Sequence, residues 1–139
     1  MERRHISGSL RHAVAERAGN RCEYCRSQDR FSVHGFSIDH VVPISRGGPT
    51  TLDNLAFACP GCNSHKHNKV TATDPVTQVS NNLFNPRTQD WPDHFAWNDD
   101  YSLVVGISAV GRATVDALEL NRDSLVNLRQ ALHALKLHP

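Results

Sequence analysis

Two short cysteine turns constrain this chain more than any other feature. Cys22-Glu-Tyr-Cys25 and Cys59-Pro-Gly-Cys62 hold all four cysteines, with 33 residues between the pairs. A Cys-x-x-Cys turn presents two thiolates to one ion, and two such turns complete a tetrahedral four-thiolate site. A site of that kind is closed, so its expected role is to staple the start of the domain to its middle rather than to bind substrate. Paired disulfides are the first alternative. They call for an oxidising compartment, whereas the N-terminal MERRHISGSL has no apolar stretch behind its basic residues to serve as a secretory signal. A redox Cys-x-x-Cys is the second alternative, weakened because two such motifs occur and neither opens a βαβ unit.

The chain is 139 residues long, enough for one domain of ordinary size, with 39% apolar and 21% charged residues. This balance excludes a disordered chain. The longest apolar run, Leu55 to Cys59, is far short of a membrane span, so no membrane association and a cytoplasmic location are expected. The net charge of +1 conceals an asymmetry: residues 1–70 hold 10 Lys and Arg against 6 Asp and Glu, whereas residues 71–139 hold 5 against 8. Six of the nine histidines also fall in the first half. A polyanionic partner would therefore meet the N-terminal half.

Local patterns predict a helix capped by Ser7 or Ser9 and stopped by Gly19-Asn20. An extended stretch from Phe31 to Val42, turning near Gly35, and a loop from Pro43 to Asp53 follow. A short strand from Asn54 to Ala58 precedes a helix expected to start near Asn63 and end before Pro75. Residues 71–90 read as a polar connector. Strands at His94–Asn98 and Tyr101–Ser108 flank the turn Asn98-Asp99-Asp100. Ser108 is placed to cap one helix, and Asn121 or Asp123 a last one whose stripe of Leu125, Leu128, Leu132 and Leu135 is expected to be core.

Between and after the cysteines the chain reads DHVVPISRGGPTTLDNLAFACPGCNSHKHNK. Asp39-His40, the Pro-x-Ser-Arg-Gly-Gly loop, Asp53-Asn54-Leu55 and the closing Cys-x-x-Cys-Asn resemble the HNH endonuclease family. Arg21-Cys-Glu-Tyr-Cys25 resembles the opening of its zinc-binding members. The likeness covers about residues 20–69. The residue chemistry is consistent with it: histidine titrates near neutrality and suits a general base, and a carboxylate is a hard ligand for Mg²⁺ or Mn²⁺. The resemblance implies that His40 activates water, that Asp39 binds the catalytic metal, and that Asn54 orients His40 by hydrogen bonding across the loop.

For the remaining metal ligands, a continuous helix would put Asn63 and His67 on one face and turn His65 away. His67 is the expected ligand, with Asn63 second, in a set suited to a hard cation. Because adjacent strand residues face opposite ways, Asp39 and His40 share one metal only if their strand is ending. Arg46, Lys66 and Lys69 are candidates for phosphate contacts, the alternative for the two lysines being an ordinary solvated helix face.

Leu83-Phe-Asn-Pro-Arg87, Trp91, His94-Phe95, Trp97 and Gly111-Arg-Ala-Thr-Val115 resemble an extension that follows the HNH module in bacterial members of the family. Phe84, Trp91, Phe95 and Trp97 are expected to supply its apolar area, and Arg87 and Arg112 to form salt bridges with the acidic half.

The expected fold is α+β: a ββα-metal (His-Me finger) nuclease module over residues 1–70, stapled by a four-cysteine zinc site. Residues 71–139 would form a C-terminal hairpin and two helices packed on it. The expected function is metal-dependent cleavage of DNA, with 5′-phosphate and 3′-hydroxyl ends as the resemblance implies. The expected cofactors are structural Zn²⁺ and catalytic Mg²⁺ or Mn²⁺, and no obligate protein partner is evident. The alternatives are a non-catalytic zinc-ribbon module that binds nucleic acid and a nuclease that cuts RNA.

Overall fold

The computed structural model describes residues 6–139; the first five residues of the expected 1–70 module lie outside them. Among the described residues the chain is mixed α and β, with four α-helices and three two-stranded antiparallel sheets. It divides into two compact units. The first runs up to Val70 and also takes Asn85–Thr88; the second is Thr71–Phe84 with Gln89–Pro139. No helix among the described residues is long and apolar enough to cross a membrane.

The first unit opens with α1 (Gly8–Arg17), where the Ser7 side chain accepts a hydrogen bond from the Leu10 amide and so caps the start. Gly19 and Asn20 follow with φ of 64° and 57°, ending the helix as their residue types favour. Strand β1 (Ser37–His40) pairs antiparallel with β2 (Leu55–Ala58), with His40 opposite Leu55 and Asp39 opposite Ala56. Helix α2 (Pro60–Lys66) follows β2 directly. Val14 of α1 packs with Leu55 and Phe57 of β2 as the buried core, and the Phe36 ring lies 5.2 Å from that of Phe57.

The outer edge of β2 is closed by the backbone and side chain of Glu23 and by two arginines. The Glu23 amide donates to the Phe57 carbonyl and the Glu23 carboxylate accepts from the Phe57 amide, both at 2.8 Å. The Leu55 carbonyl accepts from Arg17 and Arg87. Arg87 also pairs with Glu23, which explains why Asn85–Thr88 belong to this unit. The expected salt bridge of Arg87 therefore forms, but with a residue of the basic half. Unpaired strand edges are a liability, and here two arginines and a glutamate satisfy the one that β1 leaves open.

Two expected elements differ. Extended structure before Ser37 does not turn back at Gly35; Asp29–Phe31 form a 3₁₀ turn instead, and β1 finds its partner in β2. Helix α2 begins at Pro60, three residues early. Pro60 needs no amide partner in the first turn, and the Cys59 sulfur caps the Cys62 amide. The helix ends at Lys66, before Pro75 as expected, where His67 takes a φ of 50°.

In the second unit, residues 71–90 are not all connector. β3 (Thr71–Thr73) and β4 (Ser80–Asn82) pair as a small hairpin. β5 (Phe95–Trp97) and β6 (Val104–Gly106) pair around the expected turn. Ser108 caps α3 (Ala109–Ala117), accepting from the Gly111 amide at 2.9 Å. A Cβ on Gly111 would lie 2.0 Å from the His94 carbonyl oxygen, so only glycine lets α3 approach so closely.

Phe84, Trp91 and Phe95 are buried, and the edge-on Phe84–Phe95 pair is centred at 5.2 Å. On α4 (Asp123–Ala134) the buried face is Leu125, Arg129 and Leu132, and Leu135 lies past the helix end, 67% exposed. The leucine stripe is thus only part of the core. Arg129 takes a place in it by lying over the Trp97 ring and donating to the Ser102 and Leu120 carbonyls. Asn121 caps no helix; its amide group pairs with both backbone groups of Val104.

Arg112 forms the expected salt bridge with an acidic residue of its own half, donating through Nε and Nη2 to the two oxygens of buried Asp74 at 3.0 and 2.8 Å. Arg112, with the Val76 amide and Thr77 hydroxyl, holds the Asp74 carboxyl well below the usual carboxylate range. A carboxyl with a lowered folded pKa adds stability that is complete above its unfolded value, about 3.9, and is lost as the pH falls towards the folded value. The melting temperature should therefore drop as the pH is taken from 5 to 2. Asp74→Asn should melt lower at pH 7 and lose less over that acid range, as thermal scans by circular dichroism will show.

Candidate metal centre and active site

The four cysteines are all buried and unbridged, and their sulfurs lie within 4.8 Å of one another. Cys25 Sγ and Cys59 Sγ are 3.7 Å apart, too far for a disulfide. Zinc–sulfur bonds of about 2.3 Å give a tetrahedron with edges of roughly 3.8 Å, so the cluster has the dimensions of a zinc site. Its electrostatics agree. Burial pushes the Cys22 thiol up, and hydrogen bonds from the other three sulfurs push Cys59 down. A divalent ion at their centre would let all four ionise. It is the one group of three or more His, Cys, Asp and Glu residues able to hold a metal among the described residues.

Asp39 and His40 occupy consecutive positions of a regular, paired strand, and their side chains part as the pleat requires. Asp39 is only 4% exposed. Its carboxylate accepts from the Tyr24 hydroxyl at 2.7 Å and pairs with the Lys66 ammonium at 3.2 Å. Burial pushes the Asp39 carboxyl up, opposed by Lys66 and Tyr24. His40 is half-buried, with Nε2 2.9 Å from the Thr50 hydroxyl.

Asn54 is buried and fully engaged, but with the loop rather than with the His40 ring. Its Oδ1 accepts from the Val42 amide at 2.9 Å, and its Nδ2 donates to the Val42 and Pro49 carbonyls at 3.0 and 2.9 Å. It thereby ties the two ends of the Val42–Pro49 loop together. Any effect on His40 passes through that loop to Thr50, the residue after Pro49. Gly48 completes the closure: a Cβ there would stand 1.7 Å from the Val42 oxygen and 2.9 Å from Asn54 Nδ2.

Lys66 is not a phosphate contact. It is 1% exposed, and besides Asp39 its ammonium donates to the carbonyls of His40 and Val41 at 3.2 and 3.0 Å. Those partners account for the three hydrogens it carries. A lysine with this environment is invisible to helical spacing, because its partners lie 25 to 27 residues away in sequence.

His67 is exposed, one residue past α2, so helical phase no longer sets its direction as expected; Asn63 remains on the helix, half-buried. The expected hard-cation set does not fit this arrangement, since the carboxylate that should anchor it is buried and already neutralised by an ammonium. Arg46 and Lys69 stay exposed, and Arg46 reaches the Asn68 carbonyl at 3.0 Å, which brings the two basic residues to one edge of the unit.

The family model for HNH endonuclease matches residues 22–69. Over these residues the chain is similar to an HNH domain. No curated protein matches the chain. The match opens at the first zinc-turn cysteine and closes at Lys69, so it contains both cysteine turns, β1, the Asn54 loop, β2 and α2. HNH domains act on nucleic acids, which accords with the exposed basic edge.

Two outcomes check this arrangement. Metal analysis of purified protein should give one zinc per chain, and Cys59→Ser should lose the metal together with most of the first unit's fold, since small zinc-stapled domains unfold without their ion. Gly48→Ala should destabilise the same unit by at least about 1–3 kcal/mol in urea unfolding, because backbone and not a flexible side chain blocks the added methyl.

Proposed function

We propose that this chain is an endonuclease that hydrolyses phosphodiester bonds in DNA. β1, β2 and α2 would serve as the ββα core of its HNH domain, stapled by structural zinc. The observation that carries this reading is the placing of His40 within that domain. It sits at the end of β1, half-buried, its ring nitrogen held by Thr50 on a loop that Asn54 and Gly48 lock shut. A general base must have a fixed ring and a nitrogen able to take a proton, and histidine is the side chain most often used for that task. Water giving its proton to this ring would attack phosphorus as the bond from phosphorus to the 3′-oxygen breaks, leaving a 5′-phosphate and a 3′-oxygen that takes a proton from solvent, and Arg46 and Lys69 would draw the DNA backbone to the same unit. HNH nucleases use divalent metals. Mg²⁺ or Mn²⁺ is the cation to supply.

The test is nicking of supercoiled plasmid by the zinc-loaded protein, with and without Mg²⁺ or Mn²⁺. His40→Ala should lower the cleavage rate about 10²–10⁴-fold while leaving zinc content and DNA affinity unchanged. Arg46→Ala and Lys69→Ala should instead weaken binding and flatten its salt dependence. Wild-type protein that binds plasmid without cutting it would favour a zinc-ribbon binding module, and cleavage confined to RNA would move the substrate class.

A further inference from the structure

Asp39, Lys66 and Tyr24 form a buried network that the hydrolytic reading does not use in the way the family resemblance implies. We infer that Asp39 is not a ligand of a catalytic metal but the buried counter-ion of Lys66, and that the pair positions His40 by anchoring the end of β1. This rests on the proposed role of His40 as the base, but the counter-ion claim itself stands on geometry alone.

The geometry has three parts. The carboxylate accepts from the Tyr24 hydroxyl at Oδ2, 2.7 Å, and meets the Lys66 ammonium at 3.3 Å from Oδ1 and 3.2 Å from Oδ2. Both charged groups are out of solvent, at 4% and 1% exposure, and a buried ammonium without a carboxylate is costly. The same ammonium donates to the backbone carbonyls of His40 and Val41. Those two residues end β1 and start the loop that returns through Thr50 to the His40 ring. A metal bound at Asp39 would have to displace Lys66, leaving an ammonium and two carbonyls unpaired in the interior.

The origin of the two partners explains why the network is well held. Tyr24 lies inside the first cysteine turn, and Lys66 closes the helix that starts at the second. Both ends of the four-cysteine centre therefore deliver one polar group each to Asp39. Asp39 and Lys66 then act as positioning residues, working through the backbone of His40 and touching no substrate.

The experiment compares Asp39→Asn, Lys66→Met and the double variant in the full-length, zinc-loaded chain by urea unfolding. Removing one member of a buried pair should lower the folded-to-unfolded ratio about 10²–10³-fold. The double variant should be closer to wild type than either single variant, because it buries no unpaired charge. Losses that simply multiply in the double variant would overturn the inference. A second measurement is Mn²⁺ titration by calorimetry, with the Mn²⁺ concentration for half-maximal plasmid nicking read alongside. Asp39→Asn should keep the wild-type Mn²⁺ affinity within about twofold, and raising Mn²⁺ should not restore its cleavage. A drop in Mn²⁺ affinity of more than tenfold, with cleavage recovered at high Mn²⁺, would identify Asp39 as a ligand and overturn the inference. If the wild-type chain proves to cut nothing, the proposed activity fails while the unfolding cycle still decides the counter-ion role.

Discussion

Four buried sulfurs within 4.8 Å of one another bring two distant stretches of chain to a single point, and the first unit is organised around that closure. Everything between Cys25 and Cys59 becomes a loop fixed at both ends, and β1 and β2 pair inside it. The turns do more than present sulfur. The first supplies Glu23 to the open edge of β2 and Tyr24 to Asp39; the second supplies the Cys59 sulfur that starts α2. Covalent proximity thus turns one cross-link into several polar contacts, each placed within a residue or two of a cysteine.

Val14, Leu55 and Phe57 form a buried cluster in this unit, with Leu10, Phe36 and Ile38 packed partly against it. Hydrogen bonds with no water to compete for them add to that packing. The second unit depends on different means. A ladder of aromatic rings from Phe84 through Phe95 and Trp91 to Trp97, with Arg129 over the last, fills space that aliphatic residues fill elsewhere.

What could be read from the sequence was local, or was fixed by chemistry that admits few partners. The cysteine spacing, the Ser7 and Ser108 caps, the Gly19-Asn20 stop and the strands around Asn98 all depend on residues within a turn or two of each other. What could not be read depends on partners far along the chain. Lys66 has the sequence context of a solvated helical lysine; only Asp39, 27 residues earlier, makes it a core residue. Asn54 was legible as a motif member, but its target was not, because its bonds go to loop backbone and carry no side-chain signature. β3 and β4 escaped notice because three-residue strands of Thr, Ala, Ser and Asn show no hydrophobic alternation to detect. The start of α2 was hidden by a proline that reads equally as a turn.

The return of Asn85–Thr88 to the first unit has a bearing on how such a gene can change. The chain leaves that unit after Val70, builds a hairpin of the second, comes back to place Arg87 against Glu23 and Leu55, and departs again. Recombination that cut the coding sequence at the apparent boundary near residue 70 would separate a strand edge from one of its two guanidinium donors. A stretch of chain that carries every donor to this edge therefore has to run past Arg87.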